Sequence, residues 1–223
     1  DRAGIVGDDG ATHHGLFDFA YLRPVPNMVV MAPKDENELQ HMLNTAVKHP
    51  GPAAVRYPRG VGVGCRMDEE LKTIPIGRAE VLREGADVTL LAVGSMVRLA
   101  AKAAVVLAGR GIEATVINAR FVKPLDEETI LHYAARTGRI FTIEEHALHG
   151  GFGSAVLELL SAKGMNGVKV QCFGIPDSFV EHGSRALLMA RYGLTVEQVV
   201  RAVSDKLAHK NHPRKLRVVL DKA

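Results

Sequence analysis

Two arginines pose the first chemical question in this 223-residue chain. Arg59 follows a short run at 53–57 that reads as a strand, and Arg2 opens the chain just ahead of Ala3-Gly4, where an extended segment gives way to a loop. In open α/β sheets, ligands bind beyond the carboxyl ends of the strands. Two guanidinium groups on such an edge can grip one phosphate through paired, charge-assisted hydrogen bonds. Position alone favours the plainer reading, two solvated surface arginines.

Between them lies Gly7-Asp8-Asp9-Gly10-Ala11-Thr12-His13-His14-Gly15. A histidine here can donate to an oxyanion or move a proton near neutral pH, and a neighbouring acid can fix its tautomer. A structural turn with capping polar groups accounts for the composition equally well. Zinc is not expected, because the adjacent His13 and His14 do not readily both point inward and no HExxH or CxxC accompanies them.

A second polar stretch, Glu144-Glu145-His146-Ala147-Leu148-His149-Gly150-Gly151-Phe152-Gly153, follows one predicted strand and opens a helix. It has the outline of a dinucleotide-binding turn. Val156 stands where the third glycine belongs, however, and the later acid is missing. Adjacent strand residues point to opposite faces, so Glu144 and Glu145 are expected to cap or to line an interface rather than to work as an acid–base couple. Lys123-Pro124-Leu125-Asp126 reads as a stiff turn with Asp126 as a helix cap, and nothing supports a catalytic role for Lys123.

The elements that must position these groups follow from pattern. Residues 28–32 form a short buried strand ended by Pro33. Asp35 caps a helix, with Glu38 completing a capping-box pattern. Leu39, Met42, Leu43, Ala46 and Val47 share one helical face. His49-Pro50-Gly51-Pro52 stops that helix, and 53–57 is the next strand. Strand, helix, strand in this order predicts two parallel strands. Gly60 to Gly64 and the charged 66–72 stretch form a linker. Beyond it, strands are predicted at 87–93, 113–117, 139–143 and 168–173. Helices are predicted at 97–108, 127–135, 154–162 and 196–207, the last capped by Thr195. This alternation argues for a mostly parallel sheet covered on both faces.

Composition narrows the class. Apolar residues make up 47%, enough for a packed core. The longest apolar runs fall far short of the roughly 20 residues a bilayer span needs, so no membrane association is expected. The chain opens on Asp1-Arg2 without an apolar signal region, as expected of a piece cut from something longer. Cys65 and Cys172 fit two free thiols in a reducing compartment. From His209 onward there are five basic residues against one acid, so the tail carries more than the whole net charge of +3. A solvated basic end is expected there, and nucleic-acid binding is not.

Taken together, several strings resemble the 1-deoxyxylulose-5-phosphate synthase family of transketolase-like, thiamine-diphosphate enzymes. Asp1-Arg2-Ala3-Gly4, Asp9-Gly10-Ala11-Thr12-His13-His14-Gly15, Phe17-Asp18, Tyr21-Leu22-Arg23, Met31-Ala32-Pro33 with Asp35-Glu36, and Ala54-Val55-Arg56-Tyr57-Pro58-Arg59-Gly60 look like the second half of its pyrimidine-binding domain. Arg120-Phe121-Val122-Lys123-Pro124-Leu125-Asp126 and the 144–153 stretch look like its transketolase-type C-terminal domain. The resemblance implies an α/β fold in two units. Residues 1–64 are an incomplete pyrimidine-binding-type parallel-sheet domain, 65–208 a transketolase C-terminal-type domain, and 209–223 a basic tail.

The same resemblance implies a transferase that joins pyruvate to glyceraldehyde 3-phosphate with loss of CO2, making a precursor of isoprenoids, thiamine and pyridoxal. Thiamine diphosphate and Mg2+ are the implied cofactors. The implied setting is the bacterial cytoplasm or the plastid stroma, and the implied assembly a homodimer. Arg2 and Arg59 would hold the aldehyde's phosphate, and His13 with Asp9 would face the pyruvate-derived intermediate. Phe17 and Tyr21 are expected to pack. The family's diphosphate and magnesium motif and its pyrimidine-protonating glutamate have no counterpart in this sequence, so no cofactor-binding or metal-binding residue is assigned. The chain alone is therefore expected to be inactive and to need an N-terminal part of the same protein. A non-catalytic dimerisation or assembly module is the main alternative, and the β subunit of a 2-oxo-acid dehydrogenase a further one.

Overall fold

The computed structural model of the protein describes residues 1–208. The basic tail predicted at 209–223 lies outside the described residues.

The first unit is built on a three-stranded sheet. Strand β1 (Val29–Met31) pairs in parallel with β2 (Ala53–Val55), in register Val29 to Ala53, and the helix between them is α2 (Glu36–Lys48). The parallel strand–helix–strand unit is as the pattern predicts. Asp35 caps α2 by accepting the Glu38 N–H at 2.8 Å. Glu38 departs from the capping box: its carboxylate takes the Lys34 N–H at 2.7 Å rather than closing on Asp35. The buried face of α2 also differs from expectation. It runs through Glu38, His41, Met42 and Thr45, while Leu43 is exposed and Val47 is 86% exposed. Met42 points at Val29, Met31 and Phe121, and Leu43 and Val47 sit a large rotation away from that direction.

The third strand of this sheet comes from far along the chain. Strand β6 (Phe121–Lys123) lies antiparallel to β1, so the second unit lends an edge strand to the first. Lys123 donates to the carbonyls of Arg23 and Val25 at 2.7 and 2.6 Å, which gives it a structural task. The short helix α1 (Asp18–Leu22) precedes β1.

The second unit is a five-stranded sheet in the order β3-β5-β4-β7-β8. Its parallel core is β5 (Ala114–Asn118), β4 (Val88–Ala92), β7 (Arg139–Ala147) and β8 (Lys169–Ile175). Strand β3 (Glu80–Arg83), absent from the sequence prediction, closes one edge antiparallel. Side chains alternate as period two requires. Val88, Leu90 and Ala92 pack on one side with α3 (Met96–Ala108), α6 (Arg185–Arg191) and α7 (Val196–Ala208), while Leu91 and Val93 pack on the other with α4 (Glu127–Thr137) and α5 (Phe152–Ala162). Both faces are covered.

Strand β7 is longer than the predicted 139–143. Its pairing with β8 shifts register after Ile143 and resumes at Ala147 opposite Ile175, so Glu144, Glu145 and His146 lie within an irregular strand rather than after it. This carries their side chains to the sheet's carboxyl end. Among the described residues, no helix is long and apolar enough to cross a membrane.

Candidate functional site

The glycine-rich segment from Gly4 to Gly15 is a closed loop. Gly4 and Gly15 exchange backbone hydrogen bonds at 2.8 and 2.9 Å. Gly7 and Gly10 turn the chain with φ of 82° and 75°. Gly15 is required by contact: a Cβ there would stand 2.1 Å from the Arg2 carbonyl oxygen. Gly15→Ala is expected to cost about 2–3 kcal/mol, since the backbone opposite cannot yield without breaking the paired ends. Thermal denaturation checks it, and a melting temperature unchanged from the parent contradicts the close approach.

The loop sits where the carboxyl ends of both sheets meet. Ala3 N–H donates to Tyr57 O at 2.9 Å, just past β2, and Ala147 N–H at the end of β7 donates to Leu16 O at 2.9 Å. Arg2 thus precedes the residue bonded to Tyr57, which itself lies two residues before Arg59. Arg2 has a left-handed backbone, φ 64°, which is uncommon for a residue with a side chain. Its side chain makes no ion pair or hydrogen bond among the described residues.

Asp9 and Arg59, far apart in sequence, form an ion pair through one guanidinium nitrogen of Arg59, which remains 55% exposed. Asp9 thus attends Arg59 and not His13. The His13 ring is exposed, and its Nδ1 lies 2.9 Å from Thr12 Oγ1. His14 turns the other way, as two adjacent histidines must. Its Nδ1 accepts the Val6 N–H at 3.1 Å, which leaves Nε2–H to donate to Glu181 O at 3.1 Å. His14 is therefore a buried strut, and His13 is the ring available to a ligand.

The supports of this loop went unread in the sequence. Glu145 is buried, and its two oxygens hold three segments: Oε1 accepts Ile5 N–H at 2.8 Å, and Oε2 accepts Ser95 Oγ–H at 2.9 Å and an Arg185 N–H. Glu144, on the opposite face, accepts the Phe152 and Gly153 N–H groups at 2.6 and 2.8 Å and so caps α5. The expected capping and interface roles are both realised. Arg56 donates to Asp18, to Gly15 O and to Glu145 O, and lies 4.3 Å from the centre of the Phe19 ring. The alternation of the 53–57 strand was the available signal, since it sends Arg56 inward when Tyr57 faces out.

Phe17 and Tyr21 do not pack as expected. Phe19 takes the buried position of α1, leaving Tyr21 64% exposed and Phe17 half-exposed against the edge of Phe179. A helix this short has one inward side, and Phe19 occupies it. Cys65 and Cys172 are free thiols.

His146 is fully buried, donating from Nδ1 to Ala147 O at 2.7 Å and accepting Phe19 N–H on Nε2 at 3.0 Å. Burial, helped by the nearby Arg56 charge, pushes its pKa down to about 4. The unfolded chain then binds the proton first, so this group's stabilisation is complete above about pH 6.5 and is lost as pH falls toward 4, a difference of about 3 kcal/mol. Burial pushes Glu144 up to about 7, which acts in the opposite direction. The expected result is therefore a difference: melting temperatures of the parent and His146→Gln converge as pH falls from 6.5 to 4. Parallel curves contradict it.

Among the described residues no grouping of three or more His, Cys, Asp or Glu suits a metal ion.

Two α/β units thus end their parallel strands beside one glycine-rich loop flanked by Arg2 and Arg59. The chain belongs to the transketolase family: residues 77–199 match the transketolase C-terminal domain and residues 1–62 its pyrimidine-binding domain. It is 75% identical, over its full length, to a 1-deoxy-D-xylulose-5-phosphate synthase of Pelotomaculum thermopropionicum, of which it covers 35%. It is 66% identical over 92% of its length to a protein of the same name from Desulforudis audaxviator, covering 32% of that protein. The chain thus spans about a third of the length of the curated relatives it matches. A solved split-gene transketolase, described as an inactive beta4 tetramer, superposes with TM-score 0.78 at 37% identity, over 89% of this chain and 63% of that one.

Proposed function

We propose that this chain supplies the phosphate-holding part of the active site of a synthase that condenses pyruvate with glyceraldehyde 3-phosphate, releasing CO2 and forming 1-deoxy-D-xylulose 5-phosphate. The observation that carries the reading is the rim itself. Arg59, paired with Asp9, stands two residues from Tyr57, whose carbonyl anchors the residue next to Arg2.

In this reading Arg2 and Arg59 hold the aldehyde's phosphate dianion. Asp9 occupies one nitrogen of Arg59 and orients the fork, leaving its remaining N–H groups for phosphate oxygens. The exposed His13 imidazole donates to the charged oxygens of the pyruvate-derived partner. Thiamine diphosphate, when held by the complete protein, supplies the electron sink for decarboxylation. The domain limits 1–64 and 65–208, a homodimer and a bacterial cytoplasmic setting belong to the same proposal.

The test combines this chain with the amino-terminal two-thirds of the Pelotomaculum relative, thiamine diphosphate, Mg2+ and both substrates. CO2 release is expected only when both polypeptides are present. Release from this chain alone overturns the division of labour, and silence from a folded mixture overturns the function.

A second reading, an assembly module without turnover of its own, draws on the exposed Leu43 and Val47 of α2 and on the likeness to the inactive tetramer. Restored turnover in the mixture decides against it.

A further inference from the structure

A groove of about 540 Å³ opens between the 58–63 segment, the first half of α3, and the starts of α6 and α7. Its lining includes four cationic side chains, Arg59, Arg98, Lys102 and Arg185, and no carboxylate. The comparison with a second cavity on α2 is instructive. There Lys34, Lys72 and Arg120 face Glu38, Asp68 and Glu80, and the charges cancel internally. In the groove, Arg59 is balanced from outside by Asp9 and Arg185 by Glu145. Arg98 and Lys102 make no ion pair or side-chain hydrogen bond among the described residues. They stand one turn apart on the exposed side of α3.

Helix α3 has no acidic residue in its first turn, and its leading Ser95 spends its hydroxyl proton on Glu145 instead of capping. The Glu145 carboxylate thus stands at the positive end of the helix and offsets it, so the groove's sign rests on its side chains. Val61, Val63, Leu99, Met189 and Val196 supply apolar wall. A bare inorganic anion would leave that wall wet, and a hydrocarbon would leave two cations unused.

We propose that this groove, which borders the Arg2 rim and shares Arg59 with it, is a second anion site that takes a small phosphate ester with an apolar body, anchored by Arg98 and Lys102. The site stands whether or not the synthase reading does, because its anchors Arg98 and Lys102 have no part in that reading and only Arg59 is common to both.

The test titrates phenyl phosphate into the protein labelled at its methionine methyl groups. Met96 and Met189 line the groove and report on it directly. Saturable shifts at these two methyls are expected, with affinity falling about tenfold or more in the Arg98→Gln, Lys102→Gln double variant. Affinity should also fall with added salt and stay within about twofold of the parent in Arg2→Gln. Equal affinity in the double variant overturns the proposal. So does loss of binding in Arg2→Gln, which would place the ligand on the other rim, or equal binding of benzyl alcohol, which would make the charge irrelevant.

Discussion

Replacing Arg56 with alanine is expected to lower the free energy of unfolding by about 3–5 kcal/mol. The guanidinium bonds Asp18 Oδ2 at 2.6 Å and the carbonyls of Gly15 and Glu145 at 2.6 and 2.8 Å, with both charged side chains largely buried. It also covers the Phe19 ring. Removing it strands three acceptors together, and Asp18 is the worst placed, since its other oxygen is already buried without a partner. Uncompensated buried charge, not lost attraction, sets the size of the effect. Arg56→Lys should recover only part of the loss, because an ammonium neither forks nor stacks. Urea titration of the two variants checks this. A loss below about 1 kcal/mol for alanine would show that water replaces the guanidinium and that Arg56 does not clamp the loop to the second sheet.

The second large effect belongs to Arg59. In a complete synthase bearing these residues, Arg59→Ala is expected to raise KM for glyceraldehyde 3-phosphate by about 30–100-fold, the worth of two to three kcal/mol of charge-assisted hydrogen bonding. The phosphate is remote from the bond being formed and is held alike before and during reaction, so kcat should change little. KM for pyruvate should also hold steady. Arg59→Lys should fall between, keeping the charge and losing the fork. Steady-state kinetics with each substrate varied in turn decides it. An unchanged KM for the aldehyde removes Arg59 from the phosphate site, and a fall in kcat alone would move it toward the chemistry.

Much of the architecture was open to reading in the linear chain because the forces involved are local. Asp35, Asp126 and Thr195 cap helices through N–H groups three residues on, a geometry decided within one turn. The run 88–93 is apolar but for Thr89, as expected of a strand buried on both faces. Two short strands escaped for the opposite reason. Strand β6 has three residues and exists because β1 offers it an edge, and β3 exists because β5 does. Neither carries a period long enough to announce itself.

The site divides along the same line. Residue types and glycine spacing were enough to mark Arg2, Arg59 and the 7–15 loop, the family resemblance picked Asp9 and His13 out of that loop, and the position of Arg59 past a strand was enough to suggest a rim. Partnership was beyond them. That Asp9 turns to Arg59, that His14 is a strut while His13 faces solvent, and that Glu145 holds Ile5, Ser95 and Arg185 together are contacts between segments far apart in the chain. Backbone patterns report the torsional and solvation preferences of neighbouring residues. Which distant polar groups meet depends on how the packed sheets orient their edges, and only the folded chain specifies that.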